Sequence, residues 1–219
     1  MHAMDATLQA SMPTVMVPRF GALVPMPSAG ERLLMAANGV FLEVCRPWVR
    51  LVRRIASFSV PTAIPYGVVE EATDLLCGKV PPALVREFAE MARRAMPKEV
   101  GAWIVWRAET GVFRLVPVQI LEHSAGHLKY ERPELRAGEY LVLDCHSHGR
   151  IPAFFSAEDN ADDRFDVKLA LVVGSCDRPN PSLALRLCAK GVLEEVERIP
   201  TAWRLAAALG AAATVEEGV

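Results

Sequence analysis

Two of the chain's five histidines, His146 and His148, stand two residues apart at the end of an apolar run, Tyr140 to Cys145. In extended chain that spacing puts both imidazoles on one face, close enough to share a borderline metal ion. Asp159 follows after a loop, in the first turn of a predicted helix, and offers a carboxylate as third ligand. Two imidazoles and a carboxylate leave a fourth tetrahedral position open for water, the pattern of a catalytic rather than a structural zinc site. Cys145 points to the opposite face and is expected in the core. A plainer reading competes. A histidine at a strand end is commonly a hydrogen-bonded structural residue, and Ser156 with Asp159 resembles a capping box, which alone explains both. The scarcity of histidine and the position at an element junction favour the metal.

Other polar groups lie close in sequence. Asp144, two residues before His146 on the same strand face, is expected either to support a ligand or to face solvent. Asp162 and Asp163 extend the acidic cluster and are expected to orient a histidine or to favour a helix N-terminus. His123 and His127 are four apart, but Gly126 between them argues against a helix, so no second metal site is expected there.

The elements that position these residues are legible in outline. Arg32–Ala36 and Val40–Val44 flank Asn38-Gly39, a strong hairpin signal because both residues tolerate positive φ. Trp48–Ile55 reads as a further strand and Pro61–Gly67 as a connector, while the Met-, Ala- and Pro-rich first twenty residues read as loosely held. Residues 1–79 contain no catalytic spacing and are read as a small β-rich module. A helix is predicted from Pro81-Pro82 to Pro97, with Leu84, Phe88, Met91 and Ala95 inward and Arg86, Glu87, Glu90, Arg93 and Arg94 on a solvated face. Val100–Trp106 and Val112–Val118 form a hairpin around Glu109-Thr110-Gly111, and His123–Gly138 is a polar connector. Then come the strand Tyr140–Cys145, a short helix Ser156–Asp163, and paired strands Lys168–Val173 and Leu183–Ala189. That order predicts an α/β (α+β) domain over 80–200, with a mixed sheet flanked by helices. The Ala-rich end, 201–219, reads as a frayed helix or tail.

Composition narrows the setting. With 219 residues and 52% hydrophobic content, the chain can bury a core without disulfide staples. A net charge of -2 gives no pull toward nucleic acid or anionic lipid. Ile55–Val69 is too short and proline-broken to span a membrane, and Met1–Phe20 lacks the pattern of a secretory signal. Five scattered cysteines without a CxxC pair fit reduced, mostly buried thiols in a cytoplasm.

The spacing His146-Ser147-His148, seven residues, Ser156, two residues, Asp159 resembles, without a gap, the metal-binding signature of the JAB/MPN/JAMM metalloprotease superfamily. The likeness in element order covers roughly residues 80 to 200. Within the superfamily, the Cys-His-Ser-His-Gly stretch, Ala153-Phe154-Phe155-Ser156 and the acidic run Asp159–Asp163 are most similar to the A proteins of bacterial PRTRC cassettes. Those cassettes also encode a ThiF-related activating-enzyme-like protein and a ubiquitin-like protein. The resemblance implies that His146, His148 and Asp159 bind Zn²⁺ and that Glu99, upstream after the first helix, holds the metal-bound water as general base. It further implies that Ser156 donates to the tetrahedral oxyanion, and that the activity is peptidase or isopeptidase cleavage of a ubiquitin-like protein or its conjugates. The implied partners are that protein and a ThiF-like activating enzyme. A metal-free scaffold and a zinc-bound docking module are the alternatives. Gly149 departs from many eukaryotic relatives, in which proline follows the second histidine; it is expected to loosen the loop.

Overall fold

The Asn38-Gly39 signal does close a hairpin, but one residue out of the expected place. Strands β2 (Gly30–Ala36) and β3 (Gly39–Arg46) pair Ala36 with Gly39, so the two-residue loop is Ala37-Asn38. Gly39, at φ 141°, is needed for another reason: a Cβ there would lie 2.4 Å from the Ala56 carbonyl oxygen. Asn38 spends its amide on Val69, donating to the carbonyl at 2.7 Å and accepting from the N–H at 3.1 Å. With the Ala37 N–H on the Gly67 carbonyl at 2.8 Å, this pins the end of the Pro61–Gly67 connector and the residues just past it.

The computed structural model describes residues 2–60 and 62–208. The chain divides between Lys79 and Val80 into two compact units. The first begins with helix α1 (Ala3–Ser11), which buries no residue, and strand β1 (Thr14–Met16). β1 runs parallel to β2, and β4 (Val49–Ala56) and β5 (Ala72–Leu75) complete a five-stranded sheet in the order β1-β2-β3-β4-β5. The expectation of a loose N-terminus therefore fails from β1 to Val17, while α1 buries none of its residues. Val17 is buried with Leu34, Ala36, Phe41 and Val52, and that apolar burial holds the segment. Beside this cluster Glu43 is fully buried, taking Arg32 Nε at 2.5 Å and an Arg50 Nη at 2.8 Å.

The second unit opens with helix α2 (Pro82–Ala95), whose first position is a proline, where a missing N–H costs nothing. Its buried face is Val85, Phe88, Ala89 and Ala92, rotated from the predicted stripe; Leu84, Met91 and Ala95 are only half-buried. The cause is helix α4 (Thr201–Ala207), which packs on α2 and buries Trp203, Ala206 and Ala207. Arg93, expected in solvent, donates to the carbonyl of Ala207, an end-of-helix group with no partner of its own. What reads as a frayed tail thus begins as a docked helix; residues 209–219 lie outside the described residues.

The sheet of this unit has six strands in the order β13-β12-β11-β10-β6-β7. Its members are β6 (Gly101–Arg107), β7 (Val112–Pro117), β10 (Glu139–Ser147), β11 (Val167–Gly174), β12 (Ser182–Ala189) and β13 (Val192–Glu195). All pairs are antiparallel except β10 with β11. A parallel neighbour requires a crossover, and helix α3 (Ala157–Asp163) lies in it. A separate hairpin, β8 (Gln119–His123) with β9 (Leu128–Glu131), precedes and enters the stretch read as a polar connector, which holds its turn and second strand. The architecture is α/β (α+β), a mixed sheet flanked by helices and preceded by a β-rich module. Among the described residues, no helix is long and apolar enough to cross a membrane.

Candidate metal centre

Strand β10 carries the chemistry at its C-terminal end because its alternation is strict there. Leu143 and Cys145 are fully buried on one face, and Asp144 and His146 take the other. His148 follows just past the strand, held by its own N–H to the Val173 carbonyl at 2.9 Å. The turn beyond it is tight rather than loosened. Gly149 sits at φ 52°, and a Cβ would lie 2.8 Å from the Pro97 carbonyl oxygen, so only glycine fits this loop.

Two imidazole nitrogens and a carboxylate oxygen converge. His146 Nε2 lies 3.2 Å from His148 Nε2 and 3.4 Å from Asp159 Oδ1, and the three ligand atoms lie within 4.8 Å of one another. Ligands on ~2.0 Å arms around a tetrahedral ion stand about 3.3 Å apart, so two of the spacings match a zinc site. The orientations also fit. His148 Nδ1–H donates to the Pro152 carbonyl at 3.3 Å, which leaves the Nε2 lone pair for a metal. Burial first, then the neighbouring His146, holds the His148 pKa below the ordinary 6.5, so the ring is neutral at pH 7. The ring also stands edge-on to Phe154, with centroids 4.6 Å apart.

Asp159 divides its two oxygens. Oδ2 accepts from the Ser156 N–H at 2.6 Å and the Ser156 hydroxyl at 2.7 Å, while Oδ1 faces His146. The capping box is therefore present, and it does not compete with ligation. It fixes the carboxylate with one oxygen turned to the histidines.

Glu99 lines the same cavity of about 910 Å³ as these three side chains and is 7% exposed. Burial, followed by the charges of Asp159 and Glu158, pushes its carboxyl up to about 7. Its backbone is clamped on both sides. Its N–H donates to the Ser124 carbonyl at 2.8 Å, and its carbonyl accepts from His123 Nδ1 at 2.8 Å. The next residue is tied too, since the Val100 N–H donates to Ser147 Oγ at 3.0 Å. The middle serine of the His-Ser-His run thus joins the glutamate segment to the histidine strand. Sequence reasoning missed His123, Ser124 and Ser147 in these roles, because each acts through backbone groups that no side-chain pattern reveals. The described residues contain no ligand cluster at His123 and His127.

Two expectations need correction. Asp144 neither supports a histidine nor faces solvent: it accepts from Lys168 Nζ at 2.6 Å and stands 3.4 Å from the Tyr130 hydroxyl. Asp163 does not orient a histidine or favour a helix N-terminus. It ends α3, buried, 2.7 Å from Lys168 Nζ and 2.5 Å from an Arg186 Nη, while Asp162 beside it is exposed. Burial alone would raise Asp163, but Lys168 and Arg186 outweigh it and hold the carboxyl below 3.8. Lys168→Met is expected to cost about 3–5 kcal/mol, because it strands the buried Asp144 carboxylate without its cation and leaves Asp163 with Arg186 alone. Urea unfolding at pH 7 measures this, and a loss under 1 kcal/mol would refute the buried pairing.

Residues 81–188 match the model of prokaryotic homologs of the JAB domain, and residues 2–76 match a domain of unknown function, DUF2016. The solution structure of protein DSY2949 from Desulfitobacterium hafniense is 22% identical, with 53% of this chain and 87% of that one covered and a TM-score of 0.41. No curated protein matches the chain. Residues 81–188 are thus a domain of the prokaryotic JAB type, set behind the DUF2016 region.

Proposed function

We propose that the second unit is a zinc-dependent peptidase or isopeptidase of the JAMM type, acting on a ubiquitin-like protein or its conjugates. One observation carries this reading: two imidazole nitrogens and a carboxylate oxygen converge within 4.8 Å of one another, beside a buried glutamate in the same cavity. His146, His148 and Asp159 would hold the ion. Zinc, when bound, supplies Lewis acidity and brings the pKa of water toward ~7. Glu99, itself at about 7, is matched to take a proton from water and return it to the leaving amine. Its clamped backbone keeps the carboxylate at one place through both transfers. The ubiquitin-like substrate and a ThiF-like partner rest on the likeness of the His146–Asp163 stretch to the PRTRC cassette proteins.

Purified protein is expected to carry about one zinc per chain and to cleave a ubiquitin-like C-terminal fusion in a chelator-sensitive way. Absence of zinc, with no thermal shift on adding it, would defeat the reading. Zinc without turnover on any such fusion would make the domain a docking module instead.

Ser156 has two tasks to separate. Its hydroxyl now donates to Asp159 Oδ2 and accepts the Asp159 N–H at 3.1 Å. Ser156→Ala is expected to retain zinc, lose about 1 kcal/mol of stability through the cap, and lose roughly 10²-fold in turnover through the oxyanion. A loss confined to stability would leave the serine as a cap alone.

A further inference from the structure

Helix α3 ought not to stand by itself. It has seven residues, short for an isolated helix, and its last turn contains Asp162 and Asp163 with no basic residue. Acidic side chains at that end oppose the helix dipole. Yet this helix carries Asp159. The structure supplies the missing positive charge from the sheet. Arg186, 2% exposed on β12, reaches α3 with nearly all its donors. Nε and an Nη meet Asp163 Oδ2 at 3.2 and 2.5 Å, the Asp159 carbonyl accepts at 2.9 Å, and the Asn160 side chain accepts from the other Nη. The guanidinium lies 4.0 Å from the ring centroid of Phe155, the residue preceding the helix cap. None of these bonds touches the Asp159 carboxylate. The arginine grips the main chain of the ligand residue and leaves its charge for the ion.

We propose that Arg186 is a positioning residue of the metal centre: by ordering α3 it sets how firmly Asp159 meets His146, and so the affinity for zinc. This rests on the metal-binding reading above. Lysine would keep the charge opposite Asp163 but lacks the planar fork that reaches Asp159, Asn160 and Asp163 together. A group acting through a ligand in this way is worth about 10–100-fold in metal affinity.

The test uses the full chain, with Zn²⁺ alone as probe, titrated against a chromophoric chelator. Amide hydrogen exchange of the metal-free protein is followed in parallel. Arg186→Lys is expected to keep the protection of β10, β11 and β12, to speed exchange across residues 157–163, and to weaken zinc binding about 10–100-fold. Arg186→Ala should do the same more severely and recover in part with millimolar guanidinium ion, a rescue that a general packing defect would not show. If Arg186→Lys also loses the sheet, the Phe155→Leu, Asn160→Ala double variant removes two partners and no buried charge, and should show the same effects in smaller degree. Parent-like zinc affinity in a folded Arg186→Lys protein overturns the proposal. If the parent itself binds no zinc, the metal reading fails on its own account. The exchange of residues 157–163 then decides for Arg186, and unchanged exchange overturns it.

Discussion

Glu99→Gln is expected to abolish turnover while leaving zinc in place. The glutamate is not among the three converging ligand atoms, so its loss removes no bond to the ion. It does remove the only proton acceptor proposed for water, and general acid–base catalysis is worth ~10²–10⁴-fold. Elemental analysis beside an assay on a ubiquitin-like fusion measures both quantities, and full zinc-dependent turnover by the variant would sink the mechanism. The same substitution should register in the metal-free protein without any substrate. With the folded carboxyl at about 7 against an ordinary 4.5, the native state binds the proton more tightly than the unfolded chain. Stability is therefore lost as pH rises from about 4.5 through about 7. Glutamine does not ionise, so Glu99→Gln should melt above the parent at pH 8, and that advantage should shrink toward pH 5. An equal difference at both pH values would mean that Glu99 is not held in a desolvated site.

The convergence of His146, His148 and Asp159 could be read from sequence because they lie within one short stretch, where strand alternation and a helix start dictate side-chain direction. Glu99 could not be found that way. It sits on a different segment, and only the family likeness pointed to it. What holds it there, the His123 ring and the Ser124 carbonyl, belongs to a hairpin whose turn and second strand read as a polar connector, because Lys129 and Glu131 dilute the alternation. The helix face of α2 was misplaced for a related reason: its partner α4 lies more than a hundred residues on in sequence, as the Arg93–Ala207 bond shows. The two buried cations are themselves a signal in the sequence. Lys168 and Arg186 each interrupt an otherwise apolar strand, Val167–Gly174 and Ser182–Ala189. Buried cations need buried anions, and Asp144 on β10 and Asp163 on α3 are the buried carboxylates that meet them.

His146→Ala, His148→Ala and Asp159→Asn are expected to lose zinc and turnover together, the reverse of the Glu99→Gln pattern. Each alanine removes a neutral nitrogen donor outright. Asp159→Asn does two things at once. It replaces an anionic ligand with a weak neutral one, and its amide can no longer serve both oxygen roles, accepting from Ser156 while facing His146. Zinc should therefore be lost even though the side chain is isosteric, and metal-free stability should fall by about 0.5–2 kcal/mol through the broken cap. Protons should mimic these variants. His148 ligates only as the neutral ring, and its pKa lies below 6.5, so zinc affinity should hold near pH 7 and weaken as pH drops through about 6. Zinc titrations at steps from pH 8 to pH 5 test this directly. An affinity that stays flat over that range, or an Asp159→Asn protein that still carries one zinc per chain, would remove these residues from the metal centre.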